Sequence, residues 1–208
     1  DLENFVKPGI STHDIDAFVE SRIVHYKMKP AFKGYGGFPA GACVSVNEEV
    51  VHGIPNKKHI IREGDIVSLD AGVIYKGYQS DAARTHACGV ISSEAKKLIQ
   101  VTTQSFYEGI KFAKEGNHLH DISAAIEDYV VSNGFSCVRD LVGHGIGREL
   151  HEDPQIPNFR QKRKGPRLEA GMTLAIEPMV NIGRYDVRWL DDDWTVVDRK
   201  STRLNSSH

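Results

Sequence analysis

The chain has 208 residues, a formal net charge of −2 and a globular composition, 40% hydrophobic and 26% charged. That length buries a sizeable core in one large domain or two small ones, and a near-neutral charge gives no general reason to expect DNA or an anionic membrane as partner. No apolar run approaches the roughly 20 residues of a membrane span, and the N-terminus lacks the basic and apolar regions of a signal peptide, so a cytoplasmic protein is expected. Cys43, Cys88 and Cys137 are odd in number and widely spaced, which fits reduced, buried thiols better than a disulfide framework or a zinc cluster.

In chain order, Ser11 with Asp14 three residues later forms a capping pair for a helix over about Thr12 to Tyr26. Ile15, Phe18, Val19 and Ile23 mark one apolar face of it, interrupted by Arg22. Strands follow. "CVSVNEEVVHGIP" from Cys43 and "DIVSLDAGVIYKGYQSDAART" from Asp65 carry β-branched alternation around turn residues, and the second reads as a hairpin across Lys76-Gly77. "SSEAKKLIQVTTQSFYEGIKFA", residues 92–113, is a long amphipathic helix opening at Ser92 or Ser93, and a further helix spans about Leu119 to Ser132.

An internal repeat organises these elements. "KPGISTHDIDAFVE" from Lys7 and "KEGNHLHDISAAIE" from Lys114 align in register, and the offset that sets Lys7 on Lys114 also sets Gly64 on Gly171 and Asp70 on Glu177. The chain is therefore expected to be one domain over residues 1–198, with halves of about 1–90 and 108–198, followed by an atypical tail at 199–208. Strands and helices intersperse without strict alternation, so the expected fold class is α+β, helices covering a curved, mainly antiparallel sheet.

If Tyr75 pairs with Tyr78 across the turn, Asp81 lies opposite Gly72, and Asp70 and Asp81 become diagonal neighbours on one face of the sheet. Two carboxylates so close repel unless one is protonated or a cation sits between them. Acids at matched positions of two repeats, Asp70 and Glu177, make a natural cation cage. "VGHGIGRELHE", residues 142–152, adds His144 from a stretch where glycines permit close backbone approach. Asp70, Asp81, His144 and Glu177 form an oxygen-rich donor set with one imidazole, suited to divalent manganese, iron, cobalt or zinc. His52 and His151 are candidates to face a substrate. His13, His25, His59, His86, His118 and His120 are assigned to the surface or to helices.

Four blocks resemble the type I methionine aminopeptidases in order and spacing: "GYGGFPAGACVSVNEEVVHGIP", "GDIVSLDAGVIYKGYQSDAART", "LVGHGIGRELHEDPQIPNF" and "GMTLAIEPMVNIG". The match runs from about Val6 to Val197. The resemblance implies the pita-bread fold and metal-assisted removal of the initiator methionine from nascent polypeptides, with two divalent ions (Co, Mn, Fe or Zn). It implies Asp70, Asp81, His144 and Glu177 as metal ligands, and His52, His151 and Glu177 as catalytic residues. His52 and His151 would contact the substrate around the scissile bond, and Tyr35, Phe38, Cys43, Leu150 and Trp194 would line the methionine pocket. The same resemblance gives the partners only in outline: nascent N-termini as substrate, and a monomeric enzyme.

Against the family pattern the chain is expected to be truncated at both ends. The bridging glutamate that the family supplies after the pocket tryptophan is missing; "DRKSTRLNSSH" occupies that region, with His208 about where the ligand belongs. One ion held through Asp81, His144 and Glu177, and impaired activity, are expected. The rival readings are a prolidase-like or aminopeptidase P-like enzyme and a catalytically silent pita-bread binding protein. The basic run "RQKRKGPR", Arg160 to Arg167, is a candidate contact for ribosomal RNA or a solvated loop near the acidic Asp191 to Asp193.

Overall fold

Helices α1 (Leu2–Phe5) and α2 (Thr12–His25) lead into strands β1 (Lys29–Pro30), β2 (Ala42–Val46), β3 (Glu49–Val51), β4 (Ile66–Tyr75) and β5 (Tyr78–Ala87). Helices α3 (Ser93–Ile110) and α4 (Leu119–Ser132) follow, then β6 (Ser136–Cys137), β7 (Gly143–Gly145), β8 (Glu152–Ile156), β9 (Leu174–Ala175), β10 (Val180–Asn181), β11 (Val187–Trp189) and β12 (Val196–Asp198). This computed structural model describes residues 2–199. The rest of the anticipated tail, His208 included, lies outside the described residues.

The chain divides into two units, residues 2–96 with Arg188–Val197, and Lys97–Val187 with residues 198 and 199. Arg188–Val197, from the second half of the repeat, belongs to the first unit because β12 pairs antiparallel with β3, Val196 opposite Val51.

Within the first unit, Ser11 caps α2 through a full capping box, its hydroxyl accepting the Asp14 N–H at 3.1 Å while the Asp14 carboxylate accepts the Ser11 N–H at 2.8 Å. Ile15, Val19 and Ile23, on one stripe of α2, bury against Val67 and Leu69 of β4. Each such side chain contributes roughly 1.5–3 kcal/mol of burial free energy. Arg22 turns away from this core and donates from Nη2 to the Tyr26 hydroxyl at 3.0 Å. Because side chains alternate along a strand, committing Val67, Leu69, Ala71 and Val73 to the core leaves Ser68, Asp70 and Gly72 on the opposite face of β4.

The second unit repeats this plan in the register read from the sequence. Ile122, Ile126 and Val130 of α4 stand for Ile15, Val19 and Ile23, and Leu174 and Ile176 stand for Val67 and Leu69. The backbone repeats too. Lys29 pairs with Ile74 as Ser136 pairs with Asn181, and Gly9 N bonds Ile61 O as Gly116 N bonds Leu168 O, both at 2.9 Å. One difference is local. The long β4 has only the short β9 and β10 as its counterpart, because Pro178 lacks an N–H and cannot continue a ladder. Helix α3 also stops at Ile110, three residues before the expected end, with Gly109 pressed against Ile126 and Ile122.

The three thiols are free and buried. Burial raises all of them, and Cys137 is pushed up to about 12 by burial and then by Glu127, against the opposing charge of Arg139. Reaction needs the thiolate. At pH 8 the folded protein should therefore show essentially no rapid reaction with a thiol-specific disulfide reagent, and three equivalents after denaturation; rapid native reaction at Cys137 would contradict this packing.

Candidate active site

In the first unit, β4 and β5 form a hairpin with Tyr75 opposite Tyr78, Gly72 opposite Asp81 and Asp70 opposite Ala83. Asp70 and Asp81 therefore share a face as diagonal neighbours, and that face is the one turned away from the α2 core. Ser68 and Thr85 continue it, their hydroxyls 2.8 Å apart. On the other side of β4, β2 places Cys43 opposite Asp70. Burial, then the charges of Asp70 and Asp81, drives the Cys43 thiol well above its usual range, so it stays an uncharged apolar wall.

Trp194 collects the other residues of this unit. Its ring lies edge-on to Phe38 at 5.1 Å between centroids and to His52 at 6.4 Å. It also passes close over Gly36, beside the partly exposed Tyr35. His52 has a left-handed backbone, φ 59°. Burial holds its imidazole below the ordinary value, opposed by the charge of Asp81 and by a hydrogen bond with the Trp194 backbone.

In the second unit, β7 lies between β8 and β9, His144 opposite Ala175 on one side and Gln155 on the other, with a bulge between His144 and Gly145. The glycines around His144 have a steric cause: a Cβ on Gly143 would fall 2.2 Å from Ala175 O, and one on Gly145 2.2 Å from Asp153 O. Side chains there would push the flanking strands apart. His144 is buried, and its Nδ1 donates to Gly145 O at 2.8 Å, the only role a carbonyl partner permits. Its Nε2 faces Glu177 Oε1 at 3.2 Å. The rings of His144 and His151 are 4.2 Å apart, His151 exposed and Leu150 buried beside it.

Residues 1–197 match the profile of metallopeptidase family M24. The chain belongs to metallopeptidase family M24. It is 56% identical over 196 residues to a methionine aminopeptidase of Clostridium acetobutylicum, covering 94% of this chain and 78% of that protein. Methionine aminopeptidase 1 of Bacillus subtilis is 51% identical, over 95% of this chain and 79% of its own length. The crystal structure of the Thermotoga maritima methionine aminopeptidase superposes with a TM-score of 0.93 at 47% identity, covering 96% of this chain and 80% of that one. The prolidase of Pyrococcus furiosus, TM-score 0.72 at 22% identity over 94% of this chain and 53% of its own, shares the fold. The α+β pita-bread architecture expected from the sequence is thus that of this M24 chain.

The donor chemistry fits an M24 metal. The candidate ligands are carboxylates and an imidazole whose Nδ1–H is committed to a carbonyl, so that in the neutral ring Nε2 carries the lone pair. Two lone-pair donors 3.2 Å apart, His144 Nε2 and Glu177 Oε1, have about the separation of neighbouring ligands on one ion with bonds of roughly 2.1 Å. Each unit brings together two of the four residues, Asp70 with Asp81 and His144 with Glu177. Among the described residues, no unit by itself gathers three such donors.

Two residues of this M24 chain escaped the sequence reading. Asn158 is fully buried and donates from Nδ2 to the main-chain carbonyl of Glu177 at 2.7 Å, fixing the backbone that carries the acid. Asp16, on the buried side of α2, accepts the N–H groups of Gly41 and Ala42. Asn158 lies in one of the family-like blocks and Asp16 in the repeat, but neither residue type there signals a role. The basic run is held at both ends within its own unit: Arg160 binds the Asp128 carboxylate at 2.6 and 2.7 Å, and Arg167 donates to Gly116 O at 2.9 Å. No helix is long and apolar enough to cross a membrane among the described residues.

Proposed function

We propose that this chain is a metal-dependent aminopeptidase that removes the initiator methionine from nascent polypeptides. The observation that carries this reading is its 56% identity over 196 residues with the methionine aminopeptidase of Clostridium acetobutylicum. Asp70, Asp81, His144 and Glu177 are the proposed ligands. A bound divalent ion, of manganese, iron, cobalt or zinc, would supply Lewis acidity and an activated water at neutral pH.

The residues of the chain do the rest. Glu177, whose carbonyl accepts a bond from Asn158, helps accept a proton from water. His151, exposed beside His144, donates to the oxygen on which charge develops when the methionyl carbonyl is attacked. His52 bonds the peptide nitrogen beyond the cut. Burial disfavours its charged form, so it works near neutral pH as an uncharged imidazole with one donor and one acceptor. Phe38, Cys43 and Trp194, with Tyr35 at the edge and Leu150, offer apolar surface to an unbranched thioether.

The test is hydrolysis of Met-Ala-type peptides by freshly purified protein, with elemental analysis alongside. Turnover that chelation removes and divalent metal restores supports the reading; peptide binding without turnover in metal-loaded protein favours the catalytically silent binding protein instead. The 208 residues contain no glutamate after Glu177. Turnover by a polypeptide of these residues is accordingly expected to fall below that of a form extended by a family-like strand bearing the bridging acid, and equal rates would refute that expectation. Reversing the charges of the run from Arg160 to Arg167 should leave peptide hydrolysis unaltered, while loss of ribosome co-sedimentation in that variant would support a ribosomal partner.

A further inference from the structure

Between Ala31, whose N–H bonds Gly72 O of β4 at 2.9 Å, and Ala42 at the start of β2, the chain forms the loop that carries Tyr35 and Phe38. Gly34, Gly36 and Gly37 in this loop have φ of 85, 55 and 91°. So many glycines make the segment entropically costly to order, and the placement of its two aromatic rings depends on how its ends are tied.

Both ends are tied to α2. Lys33 Nζ donates to the two carboxylate oxygens of Glu20 at 2.7 and 2.9 Å. At the other end, a single oxygen of Asp16, Oδ1, accepts the N–H of Gly41 at 3.0 Å and of Ala42 at 2.9 Å. Asp16 and Glu20 are one helical turn apart and so share a face. Gly41 is where Glu20 needs room, since a Cβ there would lie 2.4 Å from Glu20 Cγ.

The matched helix of the other unit carries no acid at this position. The position of α4 that matches Asp16 in the repeat is Ser123, whose hydroxyl is buried without a hydrogen-bond partner among the described residues, on a helix that fills its core with the same spacing of apolar residues. Asp16 therefore departs from the shared plan in the one unit that carries Tyr35 and Phe38. Burial holds its carboxyl above the usual range, against the pull of the Ala42 N–H. A buried carboxylate is kept at an energetic disadvantage where its two hydrogen bonds matter.

We propose that Asp16 and Glu20 are positioning residues that clamp the two ends of the Tyr35–Phe38 loop and thereby set the selectivity for the substrate's N-terminal side chain. The inference rests on the aminopeptidase reading given above.

The experiment compares Asp16→Ala, Asp16→Asn and Glu20→Gln with the unsubstituted protein, all supplied with divalent metal, on peptides beginning with methionine or leucine. Asp16→Ala should lower kcat/KM for the methionyl peptide by about tenfold, mainly through KM, and narrow the preference over leucine by a similar factor. Asp16→Asn keeps an oxygen where both N–H groups point and should stay within about threefold of the parent. Equal losses on both peptides, or an asparagine variant as poor as the alanine one, would overturn the clamp. Hydrogen exchange of residues 32–42 gives a readout independent of turnover. Faster exchange there in the folded, surface-altered Glu20→Gln variant supports the clamp even if no variant hydrolyses peptide, in which case the functional reading fails alone. Unchanged exchange in both Glu20→Gln and Asp16→Ala would refute the clamp whatever the activity.

Discussion

Glu177→Gln should lower kcat for methionyl peptides on the order of 10³-fold at saturating metal, with the melting temperature of the metal-free protein nearly unchanged. Glutamine keeps the size of the side chain and leaves the main-chain bond from Asn158 in place. It removes the charge that faces His144 Nε2 at 3.2 Å and with it both the proposed ligand and the proton acceptor. Because the Glu177 side chain is 30% exposed, folding depends little on it, so activity and stability separate in this variant. Steady-state kinetics with a thermal melt checks the prediction. Activity within about tenfold of the parent would exclude a central role for Glu177.

Ile126→Ala should destabilise the second unit by about 2–5 kcal/mol. Ile126 is 0% exposed, at the middle of the α4 stripe, and Gly109 of α3 approaches it so closely that a Cβ there would lie 2.7 Å from Ile126 Cγ1. Alanine would leave a cavity that helices already in close approach cannot readily fill. Val19→Ala at the matched position of α2 removes less volume from a site 5% exposed, and the loss should be smaller. Urea denaturation of both variants measures the difference. A smaller loss for Ile126→Ala than for Val19→Ala would contradict the packing.

Much of this is legible in the residues because it is encoded locally. The Lys76-Gly77 turn fixes the pairing of Tyr75 with Tyr78, and strand alternation then carries Asp70 and Asp81 to one face. Ser11 and Asp14 announce the start of α2 through a bond that spans three residues. The repeat is visible as identities in register, Lys7 with Lys114 and Gly64 with Gly171, and it reappears in the cores and backbone bonds of the two units.

Other features depend on partners far away along the chain. Asp16 reads locally as one more polar residue of a helix, and its role exists only because Gly41 and Ala42 arrive beside it. Asn158 reads as a turn residue until the carbonyl of Glu177, 19 residues on, is brought to it. The pairing of β12 with β3 is of the same kind, taking Trp194 to the unit of Phe38 and His52 rather than to its own half of the repeat.

The sequence by itself determined the three longer helices, the hairpin, the duplication and the α+β class, and it nominated the residues of the candidate site, since periodicity, turn chemistry and capping act over a few residues. The tertiary structure alone decided which buried N–H and C=O groups the polar side chains satisfy and which strand closes on which. Those choices depend on long-range packing, and an unpartnered buried polar group is penalised only once the whole unit has excluded water from it.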